Sequence, residues 1–301
     1  MKGRLFMSKR DADKRDKPRY AIISPVRDEE QFIEKTIKSV ISQTIKPVEW
    51  IIVNDGSTDK TKQIVEKYVE KYSWMKLINL PNRGFRKPGG ESALQAGLKL
   101  INVNDYNFIV RLDGDLSFGS AYFEELFKRF AENPKLGIAS GACYCLVRNK
   151  LVLEKGPQFH VPGPLKVYRK DCWKDIGGFT TELGWDTVDE IKAQMLAWKT
   201  QSFKELKVIH HRRTGTAKGI IRGKINGGKA AYVAGYHPVF MILRAIRQMA
   251  DKPYLIGGAA LAYGFLEGYF QRIPRVKDPE LIRYLRRQQL NKLLLRKTIW
   301  K

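Results

Sequence analysis

From Tyr20 onward the chain alternates short apolar runs with segments whose apolar residues recur every three or four positions, and this alternation restricts the fold more than any other feature. Residues 21–24, 50–53, 75–80 and 107–112 read as strands, because brief β-branched and aromatic runs end in turn-forming residues. Between them, Ile33, Ile37, Val40 and Ile41 share one face of a helix over 29–45. Ile64, Val65, Tyr68 and Val69 mark a second helix, which Asp59 can cap, and 90–102 a third. A fourth, over 120–132, carries Phe123, Leu126, Phe127 and Phe130. Strands joined by helices of this length form right-handed β-α-β units and a mostly parallel sheet, an α/β fold. Ligands of such sheets bind beyond the carboxyl ends of the strands. The polar clusters fall there, at 25–28, 54–57 and 113–115.

The cluster Asp113, Gly114, Asp115 has chemistry of its own. Carboxylates two residues apart on an extended segment point to the same side. The glycine between them leaves room for a ligand to reach the backbone. Two oxygen donors at a strand end suit a hard divalent cation that takes further oxygens from a substrate diphosphate.

Charge adds a constraint on partners. The chain carries 55 Lys+Arg against 31 Asp+Glu, a formal net charge of +24, which points to nucleic acid, an anionic membrane surface or a phosphorylated substrate. No zinc finger, helix-turn-helix spacing or RNA-binding aromatic signature accompanies the charge, so the nucleic-acid reading has no support beyond it. Cys143, Cys145 and Cys172 are an odd number without a Cys-x-x-Cys pair, which fits a reducing, cytosolic compartment. Cys143 and Cys145 read as small core residues. Residues 1–18 are mostly charged and read as a flexible basic tail rather than a signal peptide or span.

Regularity falls in the second half, where 165–169 and 206–210 read as strands and 186–199 as a helix. Two apolar stretches, 232–243 and 253–270, are broken by His237-Pro238 and by Glu267 with several glycines, and fall short of the roughly 20 clean apolar residues of a span. Residues 281–301 pattern as a basic amphipathic helix. The expected organisation is a tail over 1–18, an α/β domain over 19–214 that carries the candidate site, and a helical, membrane-associating region over 215–301.

In order, residues 25–30 (PVRDEE), 53–59 (VNDGSTD), 113–115 (DGD) and 174–179 (KDIGGF) resemble the family 2 glycosyltransferases, over roughly residues 20–212. The resemblance implies a GT-A fold and an enzyme of the hexosyltransferase type. Such an enzyme takes a nucleotide-sugar donor with Mg²⁺ or Mn²⁺ and transfers the sugar with inversion. Residue by residue, it implies that Pro25, Val26, Arg27 and Glu29 line the nucleotide base. It further implies that Asp55, beside Gly56, bonds base or ribose, that Asp113 sits near the ribose, and that Asp115 ligates the metal.

Inversion also needs a general base for the acceptor hydroxyl. The family's Glu-Asp pair at the start of the helix after Gly-Gly-Phe is absent here, where 184–190 reads GWDTVDE. Asp186, Asp189 and Glu190 fall at i, i+3 and i+4 and so on one helical face. Asp186, at the helix start, is the expected base, although alignment from the far end of the helix sets Thr187 opposite the family's usual base. Trp185 is placed to stack on an acceptor sugar. His210 completes the metal shell, or Arg212 neutralises the leaving diphosphate. Residues 214–219 are expected to close over the donor. The resulting expectation is a peripheral protein on the inner face of the cell membrane, held by anionic lipid. It would move sugar from a UDP-, GDP- or dTDP-sugar to a saccharide or lipid-linked acceptor in cell-surface polysaccharide or glycolipid synthesis. The missing Glu-Asp pair leaves a catalytically silent scaffold as the alternative.

Overall fold

The computed structural model describes residues 17–84, 91–147, 150–154, 156–157, 159–179, 185–212 and 219–300, less the side chains of Glu91, Val147, Trp185 and Asp186. Strand β1 (Tyr20–Val26) is bonded in parallel to β2 (Glu49–Asn54) on one side, with β3 (Met75–Asn79) extending the sheet beyond β2. On its other side β1 pairs in parallel with β4 (Phe108–Leu112). Helices α1 (Ile33–Ile41), α2 (Thr61–Val69) and α3 (Glu91–Leu98) connect these strands.

The strands read as unbroken apolar runs because both faces of the sheet are covered. Tyr20 and Ile22 pack with Ile33 and Ile37 of α1 and with Phe123 and Phe127 of α4 (Tyr122–Glu132). Ala21 and Ile23 turn to the opposite face, against Leu94 of α3 and against Cys172, Trp173 and Ile176. Each such Ile, Leu or Phe, fully buried, contributes about 1.5–3 kcal/mol.

The second half completes a nine-stranded sheet with β5 (Leu116–Phe118), β6 (Leu136–Val147), β7 (Lys150–Leu153), β8 (Leu165–Arg169) and β9 (Lys199–His210). The order is β3-β2-β1-β4-β8-β6-β9-β5, with β7 folded back on β6. Parallel pairing holds through the first four strands, as expected. Beyond them β8, which follows β7 with no helix between them among the described residues, is antiparallel to both β4 and β6, while β5 is antiparallel and β6 parallel to β9.

Helices α5 (Lys170–Ile176) and α6 (Trp185–Met195) precede four C-terminal helices: α7 (Ile220–Val233), α8 (Pro238–Met249), α9 (Ile256–Phe270) and α10 (Pro279–Leu293). These pack on α6 through Val188, Ile191, Tyr232, Phe265 and Leu285. The basic tail helix starts at Pro279, where Asp278 caps it by accepting from the Leu281 amide, and its Leu281 and Leu285 are buried. No helix among the described residues is long and apolar enough to cross a membrane. Residues 1–16 of the expected tail and 213–218 of the expected closing loop lie outside the described residues.

Helices α7 and α9 meet backbone to backbone. A Cβ at Gly228 would stand 2.1 Å from the Leu261 carbonyl oxygen, and one at Gly264 would stand 2.0 Å from that of Ile225. Gly264→Val is therefore expected to force the pair apart and cost about 1–3 kcal/mol. Urea midpoints would show the loss, and an unchanged midpoint would mean that the helices do not touch there.

Candidate active site

Because β1, β2 and β4 run parallel, Val26, Asn54 and Leu112 end along one edge of the sheet. The strand order also reverses beside β1, and a reversal of this kind opens a crevice at the carboxyl ends. Two loops at this edge are stapled together. Asp28, at φ +54, accepts from the Thr58 amide at 2.8 Å and donates its own amide to Ser57 Oγ at 3.0 Å. The Glu29 amide donates to Thr61 Oγ1 at 2.7 Å. Glu30 and Asp59 cap reciprocally, with the Glu30 amide reaching Asp59 and the Lys60 amide reaching Glu30, each at 3.0 Å.

The loop after β3 lies on top of this pair. Gly56 has φ +70, and a Cβ there would sit 2.4 Å from Asn82 Cα, so only glycine admits the third loop. Arg27 donates to Asn82 Oδ1 at 2.9 Å, and Arg83 donates to Asp55 Oδ1 at 3.0 Å. Asp55 is 2% exposed, and its Oδ2 has no hydrogen-bond partner among the described residues. A buried carboxylate oxygen left so is costly, which makes it the natural acceptor for a ligand N–H or O–H.

The Asp-Gly-Asp turn closes the other side. A Cβ at Gly114 would meet Val26, Glu29 and Ile33 at 3.0–3.2 Å, so the β1 loop lies against the turn. Asp113 is partly open and held by Arg111 at 3.3 Å. The β5–β9 pairing sets Leu116 opposite His210, and this brings Asp115 Oδ2 to 3.5 Å from His210 Nε2 and 3.4 Å from Arg212 Nε. Arg212 also donates to Glu29. On its far side His210 Nδ1 lies 3.7 Å from Glu154, which accepts from the Cys145 thiol at 2.8 Å. Cys145, Glu154 and His210 bring their ligand atoms within 4.8 Å of one another. Burial lowers the affinity of His210 for its proton, but Asp115 and Glu154 outweigh that and raise its pKa to about 9. Burial and Lys35 lower that of His211, which stacks on Phe32 at 5.6 Å.

Other expected site residues sit elsewhere. Val26 is 1% exposed and packs in the core, so it meets the edge through its backbone, as does Pro25 inside β1. Asp189 and Glu190 do not share an open face. They are 1% and 0% exposed and close on the buried Lys166 of β8 at 3.0 and 2.6 Å. Tyr168, two residues on along β8, also donates to Asp189, while Glu190 accepts from the Val161 amide at 2.9 Å. Burial pushes the Asp189 carboxyl above its usual range, with Lys166 opposing. Trp185 and Asp186 open α6, but their side chains lie outside the described residues. Arg83, Glu154 and Lys166 were not expected. Arg83 has a sequence signal in its place just beyond a third parallel strand, whereas the other two are set by pairing in the second half.

Lys166→Met takes the shared buried cation from both carboxylates, leaving Asp189 with Tyr168 and Glu190 with His160 at 3.1 Å, and a loss of about 3–5 kcal/mol is expected in urea unfolding. A loss below about 1 kcal/mol would show the network to be solvated. His210 holds its proton more tightly folded than unfolded, so its contribution is complete below pH 6.5 and is lost as pH rises through about 9. Metal-free wild type is thus expected to lose more stability than His210→Gln between about pH 6 and pH 9.5. Urea midpoints across that range check this, and parallel curves would refute it.

A family model described as Glycosyl transferase family 2 matches residues 21–174, just over half of the chain. The glycosyltransferase EpsJ of Bacillus subtilis is 33% identical over 116 residues, covering 38% of this chain and 31% of that protein. The poly-beta-1,6-N-acetyl-D-glucosamine synthase of Staphylococcus epidermidis is 25% identical over 198 residues, 58% of this chain and 44% of its own. The chain thus spans less than half the length of these relatives. Among solved structures, the mannosyltransferase PcManGT of Pyrobaculum calidifontis, in complex with GDP-Man and Mn²⁺, aligns at TM-score 0.55 and 16% identity over 94% of this chain and 77% of that one. S. aureus TarS 1–349, in complex with UDP-GlcNAc, aligns at 0.53 and 20% identity over 89% and 79%. At these identities they show the shared GT-A fold. Three of the four motif segments and the stapled strand ends fall within the matched stretch, which stops where the fourth begins, and the chain belongs to glycosyl transferase family 2.

Proposed function

We propose that this chain is an inverting glycosyltransferase that moves a hexosyl group from a nucleoside-diphosphate sugar to a saccharide or lipid-linked acceptor. It would act in cell-surface polysaccharide or glycolipid synthesis, as a peripheral protein at the inner membrane face. The observation that carries the reading is the buried, unpartnered Oδ2 of Asp55 at the edge where Asp113 and Asp115 also converge. Relatives that make polysaccharide and teichoic acid, and neighbours solved with UDP-GlcNAc or GDP-Man, support the donor class.

In this reading Asp55 accepts from the base or ribose beside Arg27 and Gly56, and Asp113 takes a ribose hydroxyl. The donor set of Asp115 and His210 fits a divalent cation, Mg²⁺ or Mn²⁺. A carboxylate oxygen of Asp115 and a ring nitrogen of His210 lie 3.5 Å apart, and these two residues would hold the ion. When bound, the ion supplies positive charge to the two phosphates as the diphosphate departs. Arg212, anchored by Glu29 and Asp115, adds a fixed cation at the same place. Asp186 would take the acceptor proton from the first turn of α6, with Trp185 beside it for the acceptor ring. Asp189 and Glu190 would hold that turn through Lys166 rather than act on the acceptor.

The test is release of nucleoside diphosphate from UDP-, GDP- and dTDP-sugars with Mn²⁺, alongside calorimetric binding of the nucleotides. One donor is expected to turn over. Asp115→Ala and chelation should each abolish release, and Asp55→Ala should weaken nucleotide binding about 10- to 100-fold, the loss of a charged hydrogen bond. If no nucleoside diphosphate binds, the transferase reading falls and a silent scaffold replaces it.

A further inference from the structure

Apart from Glu267, helix α9 is apolar all round, a pattern otherwise found in helices that are wholly buried or that meet lipid. Here the burial is one-sided. Leu261, Gly264, Phe265 and Gly268 face α7 and the core, while Ile256, Tyr263, Leu266 and Phe270, at helical spacing, are 53%, 58%, 52% and 83% exposed. That stripe runs about 21 Å along the helix. Helix α8, which crosses α9 where a Cβ on Gly258 would meet the Ala245 carbonyl oxygen at 2.3 Å, exposes Ile242 at 60% and Ile246 at 56% on its own outer face. Leu255, between the helices, is 68% exposed. Two adjoining helices therefore leave their outer faces apolar, well beyond scattered surface hydrophobics.

Charge around the face selects its occupant. Arg244 and Arg247 are exposed on α8, Lys252 in the connection and Arg272 just past α9. Within 219–276 the acidic residues are Asp251 and Glu267, and Glu267 is paired with Lys229 at 2.8 Å. A second copy would set these basic rims against each other in a chain already at +24, and like charges at close range oppose that. An anionic bilayer satisfies both features, with apolar side chains entering the interface and Arg or Lys at the headgroups.

We infer that the outer faces of α8 and α9 form the docking surface through which this protein sits on an anionic lipid bilayer. The inference rests on the peripheral location proposed above and gives that location its residues. The helical layer is tethered close to the site: seven residues lie between Arg212, at Asp115, and Ile220, so α7 begins at most about 30 Å from it. A bilayer docked there would hold a lipid-linked acceptor near the donor.

The test is flotation of the full chain with phosphatidylcholine vesicles, with and without phosphatidylglycerol. Wild type is expected to float with the anionic vesicles and to be released by high salt. Ile242→Glu with Ile246→Glu, and separately Phe270→Glu, should each cut the bound fraction at least about tenfold, since each removes roughly 1.5–3 kcal/mol of apolar transfer. Unchanged thermal midpoints and nucleotide binding would show the variants folded. If wild type floats and both variants float equally, this face is not the docking surface although the peripheral reading stands. If wild type does not float, both fall. A sedimenting dimer that these variants dissociate, without flotation, would make the occupant a second copy and overturn the inference.

Discussion

Everything at the candidate site follows from β1 being bonded in parallel on both sides. That single pairing pattern sends the carboxyl ends of three strands to one edge and separates β2 from β4 across β1. Each strand then delivers its following loop to the same place. The strands themselves are anchored by apolar burial on both faces, so the edge is rigid while its chemistry resides in loops.

The electrostatics at that edge are arranged as alternating charge. Glu29 and Asp115 flank Arg212, and Asp115 and Glu154 flank His210, so cations and anions interleave over a few ångströms. Such an arrangement lets the carboxylates lie close together, which three acids alone would resist. It also means that a ligand cation or phosphate enters a cluster already balanced, and any newcomer must displace or join existing pairs.

The first four strands and their helices were legible because local signals and tertiary structure agree there: apolar runs end in turns, and helical stripes fall at regular spacing. The long β9 was only glimpsed, as 206–210, and β6 only through Cys143 and Cys145 as core residues, because their polar and glycine positions blur the pattern. At the site, the strand ends marked where Asp55, Asp113 and Asp115 would gather, while the roles expected of them came from the family resemblance. The burial of Asp189 and Glu190 was not, since it depends on Lys166, more than twenty residues earlier on a strand whose neighbours sequence does not announce. Helical spacing says which residues share a face but not what that face meets. Similarly, the glycines of 253–270 looked like interruptions of a span, whereas they let α9 lie against α7 and α8.

Rim loops on sheets of this kind usually diversify one at a time. Gly56 forbids that here. Any side chain at this position would eject Asn82, and with Asn82 go the tie to Arg27 and the placement of Arg83 against Asp55. Loops one, two and three are an interlocked unit with its keystone at a missing Cβ. Evolution or engineering of what this rim holds must therefore proceed by correlated replacement across three segments of chain, and single-site exchange will meet a barrier that has nothing to do with the ligand.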